Sequence, residues 1–224
     1  MIQGVLSDLY ETLVTESSAS VRRASSLAAE LGVNEDAYRQ HWRSRRSDIV
    51  LGRCSFRDVL AQIVRTVGGT PDERLLEHLR LERMKQKAAV LRTVETDLLA
   101  AIGVLRARGL KLAVVTNSFA EDVAGWESSP LHSFFDVTLF SCTAGLAKPD
   151  PQIYVLACRE LGVAPASALF IGDGADDELS GARTAGLSTC RALWFVSRWP
   201  HATLPPGEPG LWHATDVVPA VMAT

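Results

Sequence analysis

The sequence predicts an α/β fold in which a doubly wound parallel sheet is joined to an inserted α-helical unit. From about residue 95 onward, short apolar segments alternate with amphipathic helical segments. Such alternation is typical of right-handed βαβ units and a parallel sheet. Between the first apolar segment and this region, residues 18–86 contain no convincing strand. The chain has 224 residues, 47% of them hydrophobic, which is enough for a sizeable core.

The predicted strands are short and apolar, and polar or turn residues follow them. They span residues 2–6, 110–115, 137–140, 168–171 and 188–195. Helices are predicted between them at 95–108, 151–161 and 177–185. Gly109 ends the first of these helices, and Pro151 suits the first turn of the second. The proline-rich stretch 200–209 is predicted to be a surface loop.

Four consecutive helices are predicted between the first strand and the rest of the sheet. They cover residues 20–31, 35–49, 56–67 and 71–87. Ser55, with Asp58 three residues later, is a suitable N-cap for the third helix, and Gly68-Gly69 ends it. We therefore predict a Rossmann-like core from residues 1–14 and 93–224, and a small helical cap from residues 15–92.

Composition excludes several classes of protein. The chain has 23 basic and 26 acidic residues, and this formal charge of −3 argues against a general nucleic-acid binder. No apolar run approaches the ~20 residues that a membrane helix needs, so no membrane association is expected. The four cysteines are widely spaced and form no CxxC pair. Reduced thiols in a cytoplasmic protein are the expectation, and oligomeric state is left open.

Polar residues follow each predicted strand at the point where the chemistry of a doubly wound sheet is expected. These residues comprise Asp8 and Tyr10, the run Thr116-Asn117-Ser118, Lys148, and the acidic segment 173–178. The carboxyl ends of parallel strands meet at one edge of the sheet, so these groups should converge. They could neutralise an anion and provide an aspartate nucleophile. Several carboxylates held together favour a cation, and oxygen ligands favour Mg²⁺.

Four segments carry a resemblance to a known family. They are V-L-S-D-L-Y-E-T-L-V at 5–14, V-V-T-N-S at 114–118, A-K-P-D-P at 147–151 and F-I-G-D-G-A-D-D-E-L at 170–179. In this order, each beside a strand end, they resemble the four motifs of haloacid dehalogenase-like hydrolases. The resemblance covers essentially the whole chain, including a helical cap inserted after the first motif.

The resemblance implies a role for each matching residue of the reaction centre. Asp8 matches the nucleophile, which attacks phosphorus in the phosphatases and carbon in the dehalogenases. Thr116, with the backbone amide of Asn117, matches the groups that bind phosphate oxygens. Lys148 matches the lysine that holds the nucleophile and the transferring group. The expected substrate is accordingly a small anionic molecule.

The resemblance also implies a Mg²⁺ site. Asp8 and Asp173 match the principal metal carboxylates, and the backbone carbonyl of Tyr10 matches a further ligand. The second acid of the fourth motif varies in spacing among family members. Asp177 and Glu178 both remain candidates for it, with Asp177 taken as the metal ligand.

Two residues of the first motif depart from the phosphatase pattern. Tyr10 stands where the phosphatases usually carry an aspartate that acts as general acid and base. A phenol with an ordinary pKa of about 10 could donate a proton to a leaving oxygen but is a poor base near neutral pH. Tyr10 is therefore a catalytic candidate that substitutes only weakly for the missing aspartate. Glu11 replaces the usual glycine, which predicts either local strain or a misplaced carboxylic acid. Dehalogenases resemble this sequence in having tyrosine at the first of these positions, because halide leaves without protonation.

The acidic fourth motif favours a phosphatase over a dehalogenase, because buried acids without a cation are costly. The sequence therefore predicts Mg²⁺-dependent hydrolysis of a small phosphate monoester through an aspartyl-phosphate on Asp8. The alternatives are a 2-haloacid dehalogenase and a family member that has lost catalysis. Arginines gather in the predicted cap at positions 39, 43, 45, 46 and 53, where a solvated helix face is expected for most of them.

Overall fold

Six parallel strands form one sheet in the computed structural model, which describes residues 1–17, 24–199 and 210–223. The strands are β1 (Gly4–Ser7), β2 (Lys111–Thr116), β3 (Val137–Phe140), β4 (Ala168–Gly172), β5 (Ser188–Ala192) and β6 (Gly210–Leu211). Their order in the sheet is β3-β2-β1-β4-β5-β6. The chain therefore winds outward in both directions from β1, and the predicted doubly wound, Rossmann-like fold is confirmed.

The helices cover both faces of this sheet and also form the segment between β1 and β2. They are α1 (Ala24–Glu30), α2 (Glu35–Val50), α3 (Phe56–Thr66), α4 (Glu73–Arg92), α5 (Thr96–Ala107), α6 (Ala120–Val123), α7 (Ser141–Ala144), α8 (Pro151–Leu161), α9 (Glu178–Thr184) and α10 (Val217–Ala223). Several three-residue 3₁₀ turns connect them. Within the described residues, no helix is both long and apolar enough to cross a lipid bilayer.

Side chains of successive strand residues enter two separate cores. Val5 of β1 packs in one core with α5 and α10, whereas Leu6 packs in the other with α8 and α9. This alternation follows from the two-residue period of a strand. Because both faces are covered at the centre of the sheet, β1 and β4 are buried along their whole length, and the largely apolar runs there are the pattern from which they were predicted.

The predicted strand and helix bounds agree closely with the structure, with three informative differences. Helix α4 continues to Arg92, five residues beyond its predicted end, because buried Lys87 pairs with Glu16 and so interrupts the apolar pattern without ending the helix. Strand β5 ends at Ala192 rather than at residue 195. The two-residue strand β6 and helix α10 were not predicted. Residues 20–23 of the first predicted helix and the predicted loop 200–209 lie outside the described residues.

Helices α1–α4, here called the helical insert, have a hydrophobic core of their own. Its side chains come from all four helices, and Phe119 from the sheet-bearing part of the chain packs among them. Ser55 caps α3 in a capping box with Asp58, as predicted. The hydroxyl of Ser141 also donates a hydrogen bond of 2.7 Å to the carbonyl of Val50 at the end of α2. The insert is thus attached to the rest of the protein by apolar and polar contacts.

Tyr38 in the core of the helical insert provides a pH-dependent prediction. Its ring stacks on Trp42, and burial raises the pKa of its phenol to about 12. The folded state then holds this proton more tightly than the unfolded chain, so stability should fall as the pH rises above about 10. The difference between pKa values of about 10 and about 12 corresponds to roughly 2.7 kcal/mol, half of it lost by about pH 11.

We expect Tyr38→Phe to lose less stability than wild type between pH 8 and pH 11, by roughly 1.4 kcal/mol. Urea unfolding of both proteins at the two pH values measures this difference. The comparison cancels the alkaline titration of all other groups, including Tyr10 and Tyr154. An equal loss in both proteins would show that Tyr38 does not carry the effect.

Candidate active site

Asp8 is the first residue after β1 and lies at the carboxyl edge of the sheet. Its side chain is buried, and its backbone N–H donates a hydrogen bond of 2.8 Å to the carbonyl of Ile171 on the neighbouring strand β4. The junction of β1 and β4 therefore fixes this residue. Oxygen atoms of Asp8, Asp173 and Glu178 all lie within 4.8 Å of one another. These three side chains are here called the acidic cluster; Asp8 and Asp173 directly follow the adjacent strands β1 and β4, and Glu178 begins helix α9.

Lys148 supplies a positive charge within the acidic cluster. Its Nζ lies 2.5 Å from Asp8 Oδ1 and 2.5 Å from Glu178 Oε2, and the side chain is buried. Burial lowers the pKa of Lys148, but the two carboxylates outweigh it and raise the pKa above its ordinary value. The ammonium is therefore charged, and it orients one oxygen of Asp8 while leaving the other carboxylate oxygen outside this contact.

Glu178 enters the cluster from the first residue of α9. Its Oε1 accepts a hydrogen bond of 2.9 Å from the N–H of Gly174. A Cβ atom at Gly172 would lie 2.1 Å from this oxygen, so a larger residue where β4 ends would displace the Glu178 carboxylate from this position. Tyr154 on α8 donates a hydrogen bond of 2.7 Å to the carbonyl of Glu178. Burial raises the pKa of Glu178, and Lys148, which is shared with Asp8, offsets only part of this effect.

The backbone of Lys148 is held by a side chain from the loop after β2. Asn117 Nδ2 donates to the carbonyl of Lys148 at 2.8 Å, and Asn117 Oδ1 accepts from its N–H at 2.8 Å. Helix α9 packs closely against the loop that contains Lys148, because a Cβ at Gly181 would lie 2.2 Å from the carbonyl oxygen of Pro149. Thr116, the last residue of β2, is buried beside Asn117. The second and third motifs are thus directly bonded to each other.

Tyr10 has its hydroxyl committed to a backbone group. The phenol donates a hydrogen bond of 2.7 Å to the carbonyl of Asp122, and Lys87 Nζ lies 4.1 Å from the ring centroid. Burial raises the pKa of Tyr10 well above its ordinary value, and nearby carboxylates including Asp122 and Glu16 add to the increase. The raised pKa makes this phenol an even weaker acid than an exposed tyrosine.

Glu11 adopts the left-handed backbone conformation that favours glycine, with a φ of 58°. This agrees with the strain expected from its replacement of glycine, which costs on the order of 1 kcal/mol. Its carboxylate accepts hydrogen bonds from the Thr15 hydroxyl, the Glu16 N–H and the Trp199 indole N–H, each at 2.8 Å. These three donors hold the carboxylate away from the acidic cluster.

Of the two candidates for the second acid of the fourth motif, the structure brings Glu178 into the acidic cluster. Asp177 is exposed and has a φ of 56°, and Asp176 before it has a φ of 53°. These two left-handed residues turn the chain so that the buried face of α9 starts at Glu178. The sequence spacing alone does not reveal this turn. Tyr154 also carries no recognisable sequence signal, because it lies within the apolar pattern of α8.

The donor set of the acidic cluster fits Mg²⁺. It consists of carboxylate oxygens from Asp8, Asp173 and Glu178, with one lysine shared between two of them. Burial raises the pKa of Asp173, and the nearby Asp8 carboxylate adds to the increase. Three carboxylates and one ammonium leave an excess of negative charge in a buried place. A set of oxygen-only ligands favours a hard divalent cation such as Mg²⁺.

Comparison with known proteins agrees with this geometry. Residues 2–186 match the family described as haloacid dehalogenase-like hydrolase. A glyceraldehyde 3-phosphate phosphatase from Methanopyrus kandleri is 31% identical over 201 residues, which cover 85% of this chain and 84% of that protein. A phosphoserine phosphatase from Thermus thermophilus is 38% identical over 93 residues, or 40% of this chain and 35% of that protein.

The same fold occurs in solved structures. A 2-haloacid dehalogenase from Pseudomonas syringae pv. Tomato superimposes with a TM-score of 0.71 at 22% identity, over 100% of this chain and 99% of that one. A HAD phosphatase from Thermococcus onnurineus superimposes with a TM-score of 0.62 at 20% identity, over 98% of both chains. At this identity the likeness concerns the fold alone. With the family match over most of its length, the chain belongs to the haloacid dehalogenase-like hydrolases.

Proposed function

We propose that this protein hydrolyses a small phosphate monoester in a Mg²⁺-dependent reaction through an aspartyl-phosphate on Asp8. The observation that carries the proposal is the acidic cluster, in which three carboxylates lie together and the ammonium of Lys148 pairs with two of them, Asp8 and Glu178. This excess of buried negative charge calls for a metal cation, which the phosphatases of the family use and the dehalogenases do not need. The phosphatase relatives support the same choice.

In this proposal Asp8 attacks phosphorus in line with the leaving oxygen. Lys148 orients the attacking carboxylate and, with Thr116 and the backbone amide of Asn117, neutralises charge on the phosphate oxygens. Asp8, Asp173 and the backbone carbonyl of Tyr10 would hold Mg²⁺, together with Glu178 in place of the predicted Asp177. When bound, the metal would spread the negative charge that develops on the phosphoryl group.

The helical insert would act as the cap of this site. Residues 15–92 would close over the core formed by residues 1–14 and 93–224, exclude bulk water and select the substrate. Ion pairs already join the two parts, including that of Arg83 with Asp122 at 2.7 Å. The substrate would be a small-molecule anion that enters between insert and core.

Tyr10 supports a second candidate function, that of a 2-haloacid dehalogenase. The two functions differ in metal dependence and in product. We expect the purified protein to release phosphate from glyceraldehyde 3-phosphate, phosphoserine or p-nitrophenyl phosphate with Mg²⁺, and to lose this activity in EDTA. Release of chloride from 2-chloropropionate in EDTA, without phosphatase activity, would establish the dehalogenase instead. Release of neither product from these substrates would overturn the proposed function.

Tyr10→Asp is expected to raise the turnover of phosphate monoesters. In wild type the phenol is bonded to a carbonyl and the Glu11 carboxylate is bonded elsewhere, so hydrolysis of the aspartyl-phosphate lacks a placed base. A positioned general acid and base contributes about 10²- to 10⁴-fold, and we expect part of this gain, roughly ten- to a hundredfold in kcat. Steady-state kinetics measures it, and rapid-quench labelling should show less phosphorylated protein in the variant.

Tyr10→Phe provides the matched control for this substitution. It removes the hydroxyl that contacts Asp122 but supplies no carboxylate, so kcat should not rise. A decrease of kcat by 10²-fold or more in Tyr10→Phe would instead identify the phenol as the acid of the reaction. Unchanged turnover in Tyr10→Asp would show that the second step does not limit the rate.

A further inference from the structure

Four residues that are distant in sequence form a continuous hydrogen-bonded path from the helical insert to the backbone of Lys148. Arg46 Nη2 on α2 lies 2.7 Å from Asp176 Oδ2. The same oxygen accepts a hydrogen bond of 3.1 Å from Asn117 Nδ2. Asn117 in turn bonds both the N–H and the carbonyl of Lys148. The path therefore ends at the backbone of Lys148, the residue whose ammonium contacts the carboxylate of Asp8.

The side-chain amide of Asn117 has both its donor group and its acceptor oxygen engaged in this path. Its two N–H groups point to Lys148 and Asp176, and its oxygen accepts from Lys148. An amide with both donors and its acceptor engaged has one fixed orientation. Helix α8 begins only at Pro151, so Lys148 lies in a loop. There the Asn117 side chain provides the backbone hydrogen bonds that a helix or a strand would otherwise provide.

The ion pair between Arg46 and Asp176 is largely exposed, which limits its contribution to the stability of the fold. The side chains are 49% and 30% exposed, and exposed pairs have small effects on stability. The ion pair is more informative for the two parts of the protein that it joins than for its strength. Arg39 and Arg45 on the same helix pair with Glu35 and Asp48 inside the insert, whereas Arg46 reaches the loop after β4.

We propose that Asp176 and Asn117 are positioning residues. They couple the contact of helix α2 with the loop after β4 to the alignment of Lys148 against Asp8. With α2 in place, Arg46 fixes the Asp176 carboxylate toward Asn117, and Asn117 holds the Lys148 backbone. When α2 moves away, Asp176 loses its cation and Asn117 loses a fixed partner. The coupling rests on the proposed function, because its effect is that Lys148 is fully aligned with Asp8 only while the helical insert encloses the substrate.

A double-mutant cycle tests the coupling through kinetics. We expect Arg46→Ala and Asp176→Ala each to lower kcat for p-nitrophenyl phosphate roughly two- to tenfold, the effect of losing one hydrogen bond, with a smaller change in KM. The double variant should be no slower than Asp176→Ala, and Arg46→Lys should recover part of the loss. Arg39→Ala is the matched control and should behave as wild type. Additive effects, or changes confined to KM, would overturn the coupling.

Amide hydrogen exchange of Lys148 tests the same coupling without catalysis. In Arg46→Ala its exchange should quicken roughly two- to tenfold. The amide of Gly162, which bonds Arg159 at the end of α8, should be unaffected. Unchanged exchange at Lys148 would overturn the coupling whatever the activity. Faster exchange in a protein without phosphatase activity would overturn the proposed function and retain the coupling.

Discussion

Asp8→Asn should reduce phosphate release by at least about 10⁴-fold, because an amide cannot serve as the attacking group and removal of a covalent nucleophile has effects of this size. The substitution keeps the volume of the side chain and its backbone bond to Ile171. It also removes one negative charge from the acidic cluster, so the fold should be retained. Phosphate release in the presence of Mg²⁺ measures the effect, and circular dichroism confirms that the variant is folded.

Two further measurements identify the step that is lost. Rapid quenching with ³²P-labelled substrate should leave label on wild type and none on Asp8→Asn, and peptide mapping should place it on Asp8. Asp97→Asn is the matched control, since Asp97 is an exposed aspartate in the first turn of α5. It should label and turn over as wild type does. Undiminished Mg²⁺-dependent phosphate release by Asp8→Asn would exclude Asp8 as the nucleophile.

Lys148→Met is expected to abolish activity and also to lower the free energy of unfolding by about 3–5 kcal/mol in EDTA at pH 8. Its ammonium is the cation that the buried Asp8 and Glu178 share, and methionine removes this counter-charge from both. Burial already raises the pKa of Glu178 above its ordinary value in wild type. In the variant the folded state binds protons more tightly than the unfolded chain, so its deficit should shrink as the pH falls toward about 5.

Urea unfolding at both pH values measures this deficit. Lys111→Met is the matched control, because Lys111 Nζ bonds the carbonyl of Leu161 and no carboxylate of the site. Adding Glu178→Gln to Lys148→Met should restore part of the stability by removing one of the unpaired charges. A difference from wild type below about 0.5 kcal/mol at pH 8 would show that the cluster does not depend on this cation.

The sheet and the positions of the chemical groups could be predicted because they depend on local patterns. Buried parallel strands are continuous apolar runs, and the polar residue that ends each run must lie at one edge of the sheet. Asp8 and Lys148 were identified in this way, and the structure brings them into contact. Helix α8 was predicted with its exact bounds, because Pro151 and Gly162 mark both ends.

Partners that are distant in sequence decided what the local pattern could not. The hydroxyl of Tyr10 and the carboxylate of Glu11 were open candidates for the missing acid and base. The Tyr10 hydroxyl bonds Asp122, 112 residues away, and the Glu11 carboxylate bonds Trp199, 188 residues away, in addition to its near neighbours Thr15 and Glu16. Such pairings follow from the packing of the insert against the sheet. The periodicity of apolar residues in a strand or helix does not predict them. The choice of Glu178 likewise depended on two left-handed residues in the preceding turn.

The ion pair between Glu16 and Lys87 has a consequence for how such proteins diversify. It brings the beginning and the end of the helical insert together across 71 residues of chain. A segment whose two ends meet can be lengthened, shortened or exchanged without altering the spacing of β1 and β2, as in tolerated domain insertions. The residues around the nucleophile can therefore stay constant while the insert varies. New substrates would then arise by replacement of one module, with the reaction itself inherited unchanged.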